Sequence, residues 1–132
     1  MEYHATEGMV LKSTAQGEAD ASFIFYTKEF GKIRAYAQGV KKESAKLRGH
    51  LEVFSWVTIT FVLGKNGERL THARLIRFWE KIRTDSGKLK SAFQMADMID
   101  QRCFPRQKDP CVWNILMESF LLLDERDFAE EV

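Results

Sequence analysis

From Glu7 to Phe78 the chain alternates apolar and polar positions in short runs, the period of two expected of strands with one buried face. EGMVLKST is followed by the polar break AQGEAD, and ASFIFYTK by EFG, whose glycine permits a tight reversal into KIRAYAQGV. After the polar KKESAKLRGHLE comes VFSWVTITFVL, rich in β-branched and aromatic residues. It meets ERLTHARLIRF across Gly64-Lys65-Asn66-Gly67, a hairpin signal because asparagine and glycine tolerate positive φ. About five strands at this spacing predict a small antiparallel barrel or sandwich. Small barrels fill their interiors with large side chains, which assigns Phe23, Phe25, Trp56, Ile59 and Phe61 to the core. Parity puts Tyr26 on the outer face.

The period then changes. In GKLKSAFQMADMIDQRCF the residues Leu89, Ala92, Phe93, Ala96 and Ile99 recur at steps of three and four, with Asp85 or Ser86 available as N-cap. Pro105 and Pro110 bracket a linker, and CVWNILMESFLLLDERDF begins a second helix with Pro110 suited to its first turn. Apolar residues wrap most of that helix, so it needs neighbours on several sides. Trp113, Leu116 and Phe120 are the residues expected to meet a partner chain, a second copy, or the rest of a helical domain. The predicted division is a barrel over residues 1–80 and a helical segment over 85–132.

Within the barrel, GKIRAYAQGVKK stands out. As a strand it sends Ile33, Ala35 and Ala37 to one face and Lys32, Arg34, Tyr36 and Gln38 to the other. The formal net charge is +1, yet up to Thr84 basic residues outnumber acidic ones 14 to 9, and from Asp85 acidic residues lead 10 to 6. Lys32, Arg34, Lys41, Lys42, Lys46 and Arg48 carry most of this bias, with Glu43 the one acid among them. Cations neutralise phosphates and release counterions, and an aromatic ring stacks a base, both without sequence preference. Lys32, Arg34 and Tyr36 supply both ingredients, with Lys41, Lys42, Lys46 and Arg48 extending the track. Arg69 joins them from the last strand. Arg69 and Arg77 share a parity there and Arg74 has the other, so simple alternation keeps the three from lining one groove.

Several classes of function find no support. Gly31-Lys32 and Gly64-Lys65 lack the remaining residues of a phosphate-binding P-loop. His4, His50 and His72 show no metal-ligand spacing, and no nucleophile-base set can be assembled. The reading is a non-enzyme without cofactor or metal. Cys103 and Cys111 are too few for a disulfide framework and read as free thiols. No apolar run approaches the roughly 18 residues of a membrane span, and MEYHATEG has no signal-peptide character, which predicts a cytoplasmic protein.

Four segments taken in order add a resemblance. EGMVL, GEAD, TKEFGKIRAYAQGVKK and SAKLRGHLEVFS resemble, in order and spacing, the N-terminal domain of the RecO recombination-mediator family. Its members carry an E-G-[IV]-V-L strand, a G-E-x-D turn, a T-x-x-x-G-[KR]-[IL] hairpin leading to A-[KR]-G, and a basic S-x-L-x-G-x-L-x-x-F segment. The resemblance runs from about Glu7 to Phe78. It implies an OB-fold followed by a mostly helical domain. It also implies a bacterial, nucleoid-associated protein that binds single- and double-stranded DNA, anneals complementary strands and assists recombinase loading, with RecR and the single-stranded-DNA-binding protein as partners. Gln38 departs from the pattern, standing where the family has a cation. The competing reading is a protein-protein adaptor built from an OB barrel and an apolar helix, with weak or no DNA binding.

Overall fold

The computed structural model describes residues 2–16, 20–37, 51–64 and 67–125. The described strands are β1 (Tyr3–Gln16), β2 (Asp20–Thr27), β3 (Gly31–Ala37), β4 (Trp56–Gly64) and β5 (Gly67–Arg77). The described helices are α1 (Glu80–Thr84), α2 (Ser86–Arg102) and α3 (Pro110–Glu125). The strands close in the order β1-β2-β3-β5-β4. β1 makes this possible by pairing β4 along its first half and β2 along its second. Every seam is antiparallel except β3 with β5, which is parallel and covers two residue pairs, Ala35 with Glu68 and Tyr36 with Arg69. This is the arrangement of an OB-like β domain with appended helices, as the sequence reading expected.

The interior is filled by inward-facing residues of alternating strand parity. Phe23 lies opposite Ala35, Phe25 opposite Ile33, and Ala21 opposite Ala37, and all six are buried with Val10, Val57, Ile59, Phe61 and Leu70. A bulge in β1 at Leu11 shifts the register between Val10 and Lys12. Val10 therefore points inward, while Met9 and Leu11 join a second buried cluster outside the barrel. The same slip turns Lys12 outward, where strict alternation would have buried it.

That second cluster joins the helices to the barrel. Tyr26, Phe54, Trp79, Ile82, Ala92, Ala96, Trp113, Leu116 and Phe120 meet in it. The small Ala92 and Ala96, one turn apart, turn a narrow face of α2 inward. Trp113, Leu116 and Phe120 were expected to face a partner; they lie instead inside this chain, Phe120 with none of its surface exposed. The outer face of the barrel supplies the neighbours that α3 requires. Ile115 and Leu122, seven residues apart, remain exposed on α3. Trp56 also differs from expectation. It shares the outward parity of Thr58 and Thr60, stacks on Trp79 with ring centroids 6.2 Å apart, and donates from Nε1 to Glu7 Oε1 at 3.0 Å. Tyr26 has the outward parity expected but is buried beneath the helices.

Two polar arrangements hold the helices in place. Asp85 caps α2 by accepting from the Lys88 amide at 3.1 Å. Asp124, near the end of α3, accepts from the Lys81 and Ile82 amides at 3.1 and 3.2 Å and from Arg77 Nη2 at 2.8 Å. One buried carboxylate thus satisfies the first turn of α1 and anchors the end of β5. The α2–α3 linker seals the short β3–β5 seam: the Arg106 amide donates to the Lys32 carbonyl at 2.8 Å, and Arg106 Nη1 donates to Glu68 Oε1 at 2.7 Å. Gly31 lets this linker approach, because its φ is +69° and a Cβ there would overlap the Gln107 carbonyl.

Gly31→Ala is expected to cost roughly 2 kcal/mol or more from the left-handed backbone and the overlap together, measured by urea denaturation. Asp124→Ala is expected to cost roughly 3 kcal/mol by stranding an amide pair and a guanidinium. Asp124→Asn, which keeps the amide acceptor, is expected to recover part of that loss in the same measurement.

Candidate nucleic-acid interface

The parallel β3–β5 pairing brings the sequence candidates together. Tyr36 lies directly beside Arg69, and Arg34 sits two residues earlier on the same outward face of β3. A bulge in β5 at Thr71 then changes the expected parity. Arg69, His72, Arg74 and Arg77 pair with Val62, Thr60, Thr58 and Trp56, alternate residues of β4 that share its outer face. All three arginines of β5 therefore point outward, contrary to simple alternation, because the residues at the two register shifts of this pairing drop out of it.

Outward position is not the same as availability. Lys32 is pinned under α2: its Nζ donates to the Asp100 carbonyl at 2.6 Å and lies 3.5 Å from Asp100 Oδ1. Lys12 approaches Asp100 Oδ2 at 3.0 Å and Asp97 Oδ1 at 3.6 Å. Arg77 is held by Asp124 at 2.8 Å, with its guanidinium 4.8 Å from the Trp79 ring centroid. Arg106 takes the carboxylate of Glu68 at 2.7 Å, which removes that acid as a partner for its neighbour Arg69. Among the described residues Arg34, Arg69 and Arg74 have no carboxylate partner. The described barrel cations without a carboxylate partner are therefore Arg34 and Arg69 beside the half-buried Tyr36, with Arg74 further along β5 opposite Thr58. Lys41, Lys42, Lys46 and Arg48, with Gln38, lie outside the described residues.

Sequence reasoning missed Lys12 and Asp100. No pattern signals a lysine made accessible by a bulge, or a carboxylate brought to it by a helix distant in sequence. Burial pushes the Asp100 carboxyl up, but hydrogen bonds and charge from Lys12 and Lys32 outweigh it and hold the group below the usual carboxylate range. Lys12 is held above its ordinary value, first by its hydrogen bond to Asp100 and then by that carboxylate's charge. Behind this cluster the Tyr26 phenol is pushed up to about 12 by burial, and its hydroxyl donates to the Asp109 carbonyl at 3.4 Å. Burial likewise raises the Cys103 thiol, and Cys111 is exposed. Among the described residues no group of histidine, cysteine and carboxylate side chains could hold a metal ion. No helix among them is long and apolar enough to cross a membrane.

A closed barrel of this strand order, with outward arginines flanking a tyrosine and helices covering part of its surface, defines an OB-like protein with a helical appendage. Residues 1–79 match the family described as Recombination protein O N terminal, and the chain belongs to that family. Curated relatives named DNA repair protein RecO include that of Desulfitobacterium hafniense (strain DSM 10664 / DCB-2), 27% identical over 127 residues covering 96% of this chain and 46% of the relative. That of Nostoc sp. (strain PCC 7120 / SAG 25.82 / UTEX 2576) is 30% identical over 123 residues, covering 93% of this chain and 41% of the relative. That of Dehalococcoides mccartyi (strain ATCC BAA-2266 / KCTC 15142 / 195) is 26% identical over 125 residues, covering 95% and 49%. The chain spans about half the length of the curated relatives it matches.

The Asp100 cluster has a pH signature of defined sign. A carboxylate depressed in the fold contributes stability above its unfolded pKa, about 4, and loses it as pH falls through the lower folded value. Asp100→Asn is expected to lower unfolding free energy at pH 7 by roughly 1 kcal/mol, in keeping with partly solvated charge-assisted contacts. The gap from wild type, followed by urea denaturation, narrows below about pH 4. A gap independent of pH would show that the carboxylate charge is not what matters.

Proposed function

We propose that this chain is the DNA-binding part of a recombination and repair mediator. It binds DNA through the outer face of its barrel, lets complementary strands pair, and assists recombinase loading. No bond is made or broken by the chain in this reading. Its action is electrostatic: arginines on a rigid sheet screen the backbones of two strands from each other, which lowers the repulsion that opposes annealing. The observation that carries the reading is the convergence of Arg34, Tyr36 and Arg69 at the β3–β5 seam in a member of this family. Lys41, Lys42, Lys46 and Arg48 are proposed to extend that surface. Lys32 contributes mainly by holding α2, since Asp100 already occupies it. RecR, the recombinase and the single-stranded-DNA-binding protein are the proposed protein partners, and the bacterial nucleoid the proposed location. The relatives' names, which specify DNA repair, support this role.

The adaptor reading keeps one observation in its favour, the exposed Ile115 and Leu122 on α3. Fluorescence anisotropy with a labelled single strand over a salt series separates the two. DNA binding predicts that affinity falls steeply with salt and that Arg34→Glu and Arg69→Glu each weaken it several-fold, whereas Arg77→Glu changes thermal stability first. Absence of binding at low salt, or indifference to both reversals, would overturn the DNA reading and favour the adaptor.

A further inference from the structure

The strand register continues beyond the β3–β5 seam. Tyr36 on β3 pairs with Arg69 on β5, Arg69 with Val62 on β4, and Val62 with Tyr3 on β1. These four residues form one row in the strand register, three strand spacings or about 14 Å long, with Val62 buried in its middle and Arg69 and Tyr36 half-buried. Tyr3 stands at its far end, 63% exposed. Many of the other aromatic residues pack against one another, including Phe23, Phe25, Phe30, Phe54, Trp56, Phe61, Trp79, Phe93 and Phe120. Tyr3 and Tyr36 have no ring partner among the described residues. In the adjacent register Ala5 pairs with Thr60, and Thr60 in turn with His72. Of the nearby acids, Glu68 is held by Arg106 at 2.7 Å and Glu7 lies 3.8 Å from Lys28 Nζ, while Glu2, next to Tyr3, is exposed and lies 3.8 Å from His4 Nε2.

We propose that single-stranded nucleic acid crosses the barrel along this row, with Tyr36 and Tyr3 as two separate base-stacking platforms and Arg69 holding the backbone between them. The inference rests on the DNA-binding reading and adds to it a path, a second stacking residue and a preference for single strands. The preference follows from the rings. A stacking tyrosine needs a free base face, and paired bases in a duplex already have both faces covered by their neighbours. Arginines alone would serve both forms through phosphates. The path also follows from the helices. α2 covers the part of the outer face nearest Lys12 and Lys32, and its Asp97 and Asp100 occupy both lysines, which leaves Arg34, Arg69 and Arg74 of β3 and β5 as the barrel cations without a described carboxylate partner.

The test uses the full chain and a labelled thymidine oligonucleotide followed by anisotropy, with a duplex of equal length in parallel. Tyr3→Ala is expected to weaken single-strand binding roughly 5- to 150-fold, the range for losing one stacked base. Duplex affinity and the salt slope stay unchanged. Tyr3→Phe, which keeps the ring and loses the hydroxyl, retains wild-type affinity. A Tyr3→Trp variant supplies a direct readout, because the added indole is expected to be quenched by bound oligonucleotide. Single-strand affinity that survives Tyr3→Ala while Arg34→Glu and Arg69→Glu still abolish it would overturn this path and leave the DNA reading standing. Equal loss for single strand and duplex would overturn the stacking role. Failure of the wild type to bind single strands at low salt would overturn both.

Discussion

The carboxylate of Asp124 is where the architecture is tied together. It comes from α3, satisfies the opening amides of α1, and grips Arg77 at the end of β5. A helix of five residues cannot sustain itself by its own hydrogen bonds, so α1 depends on a cap supplied from elsewhere. With α1 held, Trp79 lies fixed between Trp56 and Phe120. Arg83 of α1 then donates to the Phe78 and Val53 carbonyls, both at 2.6 Å, so the approach to β4 is held by the same unit. Buried ionic contacts of this kind add little net stability over a well-packed apolar substitute, but they leave few alternatives for how the elements dock.

Docking in this one orientation decides which part of the barrel stays available. The helices and their linker cover the side bearing Met9, Leu11 and Tyr26, and α2 brings two carboxylates onto Lys12 and Lys32. The remaining side keeps Arg34, Arg69 and Arg74 without a described carboxylate partner. Among the described residues of the barrel, a nearly neutral chain thereby keeps its unpaired arginines on β3 and β5. Composition cannot anticipate this, since pairing of charges between distant segments is what removes some cations from play and leaves others.

Much of the fold was legible because its signals are local. The strand alternation, the β4–β5 hairpin, the Asp85 cap and Pro110 at the start of α3 each depend on residues close in sequence. Phe23, Phe25, Ile59 and Phe61 were placed in the interior correctly, since their parity within uninterrupted strands holds. The misreadings cluster where regular alternation breaks or where distant elements meet. The bulge at Leu11 exposes Lys12, and the bulge at Thr71 brings Arg74 to the face of Arg69. Trp56 was assigned inward by size rather than by parity, and size does not tell the barrel interior from the interface with the helices. Trp113, Leu116 and Phe120 were read as a surface seeking a partner because the sequence gives no account of how much apolar barrel surface awaits them.

By itself the sequence determined the class of fold, the face of β3 that carries Lys32, Arg34 and Tyr36, and membership of a family through ordered motifs. Those are consequences of side-chain period and turn chemistry, which act over a few residues. Only the tertiary structure decided that Arg69 lies beside Tyr36, that Lys32 is taken by Asp100, and that Tyr3 ends a row shared with both. Such neighbours are created by strand register and helix docking, which join residues far apart in the chain.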